Sequence, residues 1–127
     1  MARILLIDDD MLARDMLRQM LERAGYDVVE AVGGREGLQH YQATAIDLII
    51  TDILMPDQDG LETIQELRRL DPEAKIIAIS GGGQSRLLDL LLIAAKLGAQ
   101  CTLQKPLVRQ ELLEAIRQLL PHQDGLS

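Results

Sequence analysis

The sequence has one cysteine, no phenylalanine and no tryptophan in 127 residues. A single cysteine cannot close an internal disulfide. Cys101 also has no Cys or His neighbour at metal-ligand spacing, so a disulfide scaffold and a zinc site are both excluded. Positive charge is scarce as well: 13 Lys plus Arg against 20 Asp plus Glu leave a net charge of −7. That balance argues against a nucleic-acid surface, which needs clustered positive charge. Long apolar runs are missing, and the longest fall well short of a membrane span. Met1-Ala2-Arg3-Ile4 runs straight into a short apolar segment without the pattern of a signal peptide. A soluble, cytoplasmic protein with no membrane or nucleic-acid partner is the expectation.

A chain of this length, 47% hydrophobic and 26% charged, has room for one core. Residues 1–121 are expected to form one domain, followed by a short polar tail at 122–127. Five apolar runs rich in Ile, Val and Leu read as strands: Ile4 to Ile7, Val28 to Val32, Leu48 to Thr51, Ile76 to Ile79 and the weaker Cys101 to Leu103. Between them, helical spacing covers Met11 to Arg23, Arg35 to Gln42, Leu61 to Leu70, Arg86 to Leu97 and Val108 to Leu120. Runs such as Ile4-Leu5-Leu6-Ile7 lack period-two alternation, which suits strands covered on both faces. Alternating strands and helices with right-handed crossovers then give an α/β fold, a doubly wound parallel sheet of five strands flanked by five helices. Gly25 and Gly98 follow helical segments where a left-handed C-cap is wanted, and Pro121 ends the last helix.

In such a sheet, chemistry gathers beyond the carboxyl ends of the strands. Those positions hold Asp8-Asp9-Asp10, Asp52, Ser80-Gly81-Gly82-Gly83 and Lys105-Pro106. Carboxylates crowded into one site repel one another unless a cation is present, and hard oxygen ligands suit Mg²⁺. A lysine and a serine hydroxyl beside the metal can meet phosphoryl oxygens, while an Asp carboxylate can serve as nucleophile. The set is complete for phosphoryl transfer to Asp52.

The order Asp8-Asp9, then Asp52-Ile53-Leu54-Met55-Pro56-Asp57-Gln58-Asp59-Gly60, then Ser80-Gly81, then Lys105-Pro106 resembles the receiver domain of two-component response regulators, the CheY-like fold. The resemblance runs from the first strand to the last helix, and it implies the sheet order 2-1-3-4-5. It implies further that Asp52 accepts a phosphoryl group from the phosphohistidine of a sensor histidine kinase or a histidine phosphotransfer protein, and that the signal passes to a downstream protein target. Asp9, Asp52 and the Leu54 carbonyl would ligate Mg²⁺, with Asp8 acting mainly through a metal-bound water. Lys105 would pair with the phosphoryl group, Ser80 would move to hydrogen-bond it, and the Ile53 and Gly81 amides would complete the cradle. Such a chain is a switch that catalyses only its own phosphoryl transfer and autodephosphorylation. The short segment after Pro121 leads to the expectation of a free-standing regulator.

Two departures stand out. Many receivers carry an aromatic residue three positions before the lysine, where this chain has Thr102; a switch running from Ser80 through Thr102 cannot use that ring. The helix containing Leu87, Leu90 and Leu91 is apolar nearly all round, beyond what one buried stripe needs. Leucines left exposed there would seat a partner or a second copy in a homodimer. Asp10 is open to two readings, metal ligand or helix N-cap, of which the cap is preferred. Met16 and Met20 have core spacing, Cys101 reads as a small buried hydrophobe, and Asp57 and Asp59 read as turn residues. Three rival functions differ in their residues. A dehalogenase-type phosphatase would use Asp8 as nucleophile in an Asp-x-Asp, but has Leu12 where Thr or Val is expected. A flavin binder would need a hydroxyl-rich loop where the three aspartates stand. A receiver that binds partners without phosphorylation would not need its five chemical positions filled.

Overall fold

The computed structural model describes residues 2–53, 60–80 and 86–120, and of residues 86–91 the backbone alone. The apolar runs form strands β1 (Arg3–Ile7), β2 (Asp27–Ala31), β3 (Leu48–Asp52), β4 (Ile76–Ser80) and β5 (Cys101–Gln104). They alternate with helices α1 (Met11–Arg23), α2 (Gly34–Ala43), α3 (Gly60–Leu70), α4 (Arg86–Leu97) and α5 (Arg109–Leu119). The strands pair in parallel in the order β2-β1-β3-β4-β5. Element ends match the sequence reading to within a residue or so, except that Val32 lies beyond β2 and is exposed.

Residue parity divides the sheet between two cores. Leu5, Ile7, Ile49, Ile76 and Ala78 meet Ile64 and Leu67 of α3 and Ala94 of α4, with Leu38 and Tyr41 of α2 at the margin. Ile4, Leu6, Leu48, Ile50, Ile77 and Ile79 meet Leu17 and Leu21 of α1 and Leu112, Leu113 and Ile116 of α5. Every residue of β3 and β4 is buried, which is why neither strand alternates polar and apolar residues. Each such Leu or Ile stabilises the fold by about 1.5–3 kcal/mol relative to exposure.

Local chemistry sets the helix ends. Asp10 caps α1, its carboxylate accepting hydrogen bonds from the Leu12 and Ala13 N–H groups at 3.1 and 3.4 Å, so the cap reading holds. Gly25 and Gly98 take positive φ, +97° and +131°, a conformation that strains a residue carrying Cβ. Met16 departs from its expected core place and is 70% exposed, whereas Met20 packs beside Leu17 and Leu21. The buried stripe runs through 17, 20 and 21, and position 16 lies about 100° around the helix from 17, outside it. Cys101 is half-buried against the α1/α5 face, and burial pushes its thiol up, keeping it a hydrophobe rather than a thiolate.

Gly60 opens α3 against the end of β3. Its N–H donates to the Ile53 carbonyl at 2.9 Å, and a Cβ there would sit 2.2 Å from the Asp52 carbonyl oxygen and 2.4 Å from Ile53 Cα. A Cβ at Gly37 would instead meet the far end of the Ile7 side chain, at 2.4 Å. Backbone cannot give way as a side chain can. Gly60→Ala is therefore expected to lower unfolding stability by about 2 kcal/mol or more and Gly37→Ala by less, a ranking that urea denaturation of the two variants checks.

Candidate metal and phosphoryl site

Four parallel strands end on one edge, and each delivers one chemical group there. Asp8 follows β1, Asp52 closes β3, Ser80 closes β4 and Lys105 follows β5. The carboxylate oxygens of Asp8, Asp9 and Asp52 lie within 4.8 Å of one another, with Asp8 and Asp52 buried and Asp9 exposed. Lys105 Nζ reaches Asp52 Oδ2 at 3.1 Å and Asp8 Oδ2 at 3.6 Å. Its backbone N–H donates to the Ser80 carbonyl at 2.8 Å, so strand pairing itself brings the lysine to the acidic cluster. Ser80 is fully buried, and its hydroxyl has no hydrogen-bond partner among the described residues. A buried orphan hydroxyl costs about 1–3 kcal/mol and calls for a reason.

The electrostatics follow from crowding. Burial holds the Asp8 carboxyl above the usual carboxylate range. The Asp10 N–H bond and Lys105 pull it down, while Asp52 and Asp9 push it up. Burial pulls Lys105 down, but the Asp52 and Asp8 carboxylates more than offset this and hold it above the ordinary lysine value. One ammonium facing three carboxylates leaves a deficit of positive charge. Three hard oxygen donors this close, one of them open to solvent, fit Mg²⁺, which keeps several waters and takes one or two carboxylates.

One amide expected in the cradle around Asp52 has a backbone partner in this structure. The Ile53 N–H donates to the Ile79 carbonyl at 2.8 Å; β3–β4 hydrogen bonding continues one residue beyond Asp52 and occupies that amide. Leu54 and Gly81 lie outside the described residues, as do the side chains of Leu87, Leu90 and Leu91. Farther along α4, Leu92 and Ile93 are exposed. Thr102 pairs in register with Ala78 and so lies on the α3/α4 face of the sheet that Ser80 shares. Two residues given no role at the site by the sequence reading also meet it. Gly60 backs onto Asp52 and Ile53, and Arg14 donates to the Asp8 carbonyl at 2.8 Å; neither contact leaves a periodic signal.

Residues 4–117 match the family described as the response regulator receiver domain. The chain belongs to that family. This receiver is 36% identical to chemotaxis protein CheY of Thermotoga maritima over 92% of its own length and 96% of the relative's. It is 34% identical to the transcriptional regulatory protein CpxR of Escherichia coli, covering 94% of itself but 50% of CpxR. Among solved structures, a receiver domain protein from Clostridium thermocellum superposes with a TM-score of 0.88 at 32% identity, covering both chains fully. A CheY-like receiver from Methanospirillum hungatei gives 0.87 at 31% identity, over 100% of this chain and 99% of the other. The receiver is thus a domain of two-component signalling, and its acidic pocket fits Mg²⁺. The dehalogenase-type reading loses its second aspartate, because the Asp10 carboxylate is spent on the start of α1.

Asp8 generates a prediction with a definite sign. Its carboxyl titrates higher in the folded than in the unfolded protein, so the native state binds the extra proton in that window and loses stability as pH rises through it. Asp8→Asn keeps an acceptor for the Asp10 N–H, which lies 2.9 Å from Asp8 Oδ1, and removes the buried charge. Without divalent cation at neutral pH, Asp8→Asn is expected to be more stable than wild type by about 1 kcal/mol. The gain should vanish below about pH 4, where both side chains are neutral. Thermal melts across pH check both the sign and the window.

Proposed function

We propose that this receiver accepts a phosphoryl group on Asp52 from the phosphohistidine of a sensor histidine kinase or histidine phosphotransfer protein, and signals to a downstream protein in the cytoplasm. A carboxylate oxygen of Asp52 forms the new P–O bond as the P–N bond to the donor imidazole breaks, with imidazole as leaving group. Asp8, Asp9 and Asp52 would hold Mg²⁺, which supplies positive charge to the phosphoryl oxygens when bound. Lys105, now paired with Asp52 at 3.1 Å, exchanges that carboxylate for a phosphoryl oxygen. The Ser80 hydroxyl turns toward another, gaining the partner it lacks among the described residues. The chain is a switch, not an enzyme acting on other substrates. It catalyses only its own phosphorylation and autodephosphorylation.

The observation that carries this reading is the convergence of three carboxylates with one lysine beside an orphaned, buried serine hydroxyl. Movement of Ser80 and of Thr102 on the same sheet face would carry the signal outward. No helix among the described residues is long and apolar enough to cross a membrane, and the net charge of −7 disfavours direct nucleic-acid binding. Exposed Leu92 and Ile93 support a protein contact on α4, with a downstream target or with a second copy of the chain.

Intact-mass analysis after exposure to acetyl phosphate tests the chemistry. The expected result is a gain of one phosphoryl group that requires Mg²⁺ and is absent in Asp52→Asn. No gain under any condition would point instead to a receiver that binds partners without phosphorylation.

A further inference from the structure

Arg14 closes the first turn of α1, yet its side chain is only 12% exposed. Its guanidinium is held from two directions. One nitrogen donates to the Asp8 carbonyl oxygen at 2.8 Å, and Nε donates to Glu30 Oε1 at 3.0 Å. The other Glu30 oxygen lies 3.3 Å from Arg18 Nε, and Arg18 is itself paired with Asp15 and Glu22. A planar fork fixed this way is oriented rather than merely paired, unlike the exposed ion pairs that contribute little.

The backbone of Asp8 shows what the arrangement does. Its N–H donates to the Ala31 carbonyl at 3.1 Å, and its carbonyl reaches Glu30 through Arg14. Both main-chain polar groups of Asp8 are thereby tied to neighbouring residues of β2. Asp8 and Asp9 are the two carboxylates of the cluster that stand beyond the end of β1 rather than in a strand, and like charges this close oppose their convergence. Resting on the reading of Asp8, Asp9 and Asp52 as a divalent-cation site, we infer that Arg14, seated on Glu30, is a positioning residue that holds the Asp8–Asp9 turn so that its carboxylates converge with Asp52.

Charge and position predict opposite results here. The Arg14 charge by itself repels a cation, so electrostatics alone has Arg14→Ala binding the metal more tightly and Arg14→Lys leaving affinity unchanged. A positioning role makes both variants weaker, since an ammonium on a flexible stem does not reproduce the rigid two-ended fork.

Titration of the full chain with Mn²⁺, read by electron paramagnetic resonance with Mg²⁺ as competitor, separates them. Arg14→Lys is expected to bind about tenfold more weakly than wild type, with Arg14→Ala and Glu30→Gln shifted in the same direction. Where Arg14→Ala does not fold, Arg14→Lys carries the test, with melting temperature measured on each variant. Wild-type affinity in Arg14→Lys, tighter binding in Arg14→Ala, or a lowered melting temperature with unchanged affinity would each overturn the positioning role while leaving the cation site standing. Absence of saturable binding by the wild type would overturn the cation site and this inference together.

Discussion

Like charges held together at the carboxyl edge of the sheet are the constraint to which the rest of the structure answers. Asp8 and Asp52 are buried beside Asp9, with carboxylate oxygens within 4.8 Å of one another. Left alone, such a group would neutralise by protonation or move apart. Lys105 offsets part of the repulsion, and burial leaves Asp8 reluctant to ionise. The site is therefore poised for added positive charge, and the proposed function supplies it as a metal ion beside a phosphoryl group.

What keeps the carboxylates in place is apolar. Two cores clamp the sheet from both sides, and parallel pairing sets the ends of β1, β3, β4 and β5 on one edge. Hydrophobic burial acts on the strand interiors, where it is largest, and the polar groups ride at the strand ends, where no packing has to be given up. Contacts close to the edge refine this frame. Gly60 lets α3 approach the backbone of Asp52 and Ile53, and Arg14 ties the turn after β1 to β2.

Much of this was legible from residue order. Runs such as Leu48-Ile49-Ile50 become strands buried on both faces, and Asp10 proved a cap because a short acceptor before a helix meets free N–H groups. The sites of Asp8, Asp9, Asp52, Ser80 and Lys105 could be read because each follows a recognisable strand. Met16 was misjudged because spacing of four says that two residues share a face without saying which face is buried. The hydrogen bond that the Ile53 amide makes could not be read, because only the pairing with β4 reveals it. Arg14 could not be found in the sequence, since its partners lie on a turn and on a neighbouring strand.

Residue order is enough for the alternation of strand and helix, the lack of an internal disulfide and the inventory of charged groups at strand ends, because periodicity, composition and adjacency are local properties. Tertiary structure decided which face of α1 is buried, which amides are engaged, that the Ser80 hydroxyl finds no hydrogen-bond partner among the described residues, and that Glu30 and Arg14 meet behind Asp8. Each of those depends on contacts between segments distant in sequence or on the accounting of every donor and acceptor at once. Pairing across the sheet settles both, and no single segment carries that information.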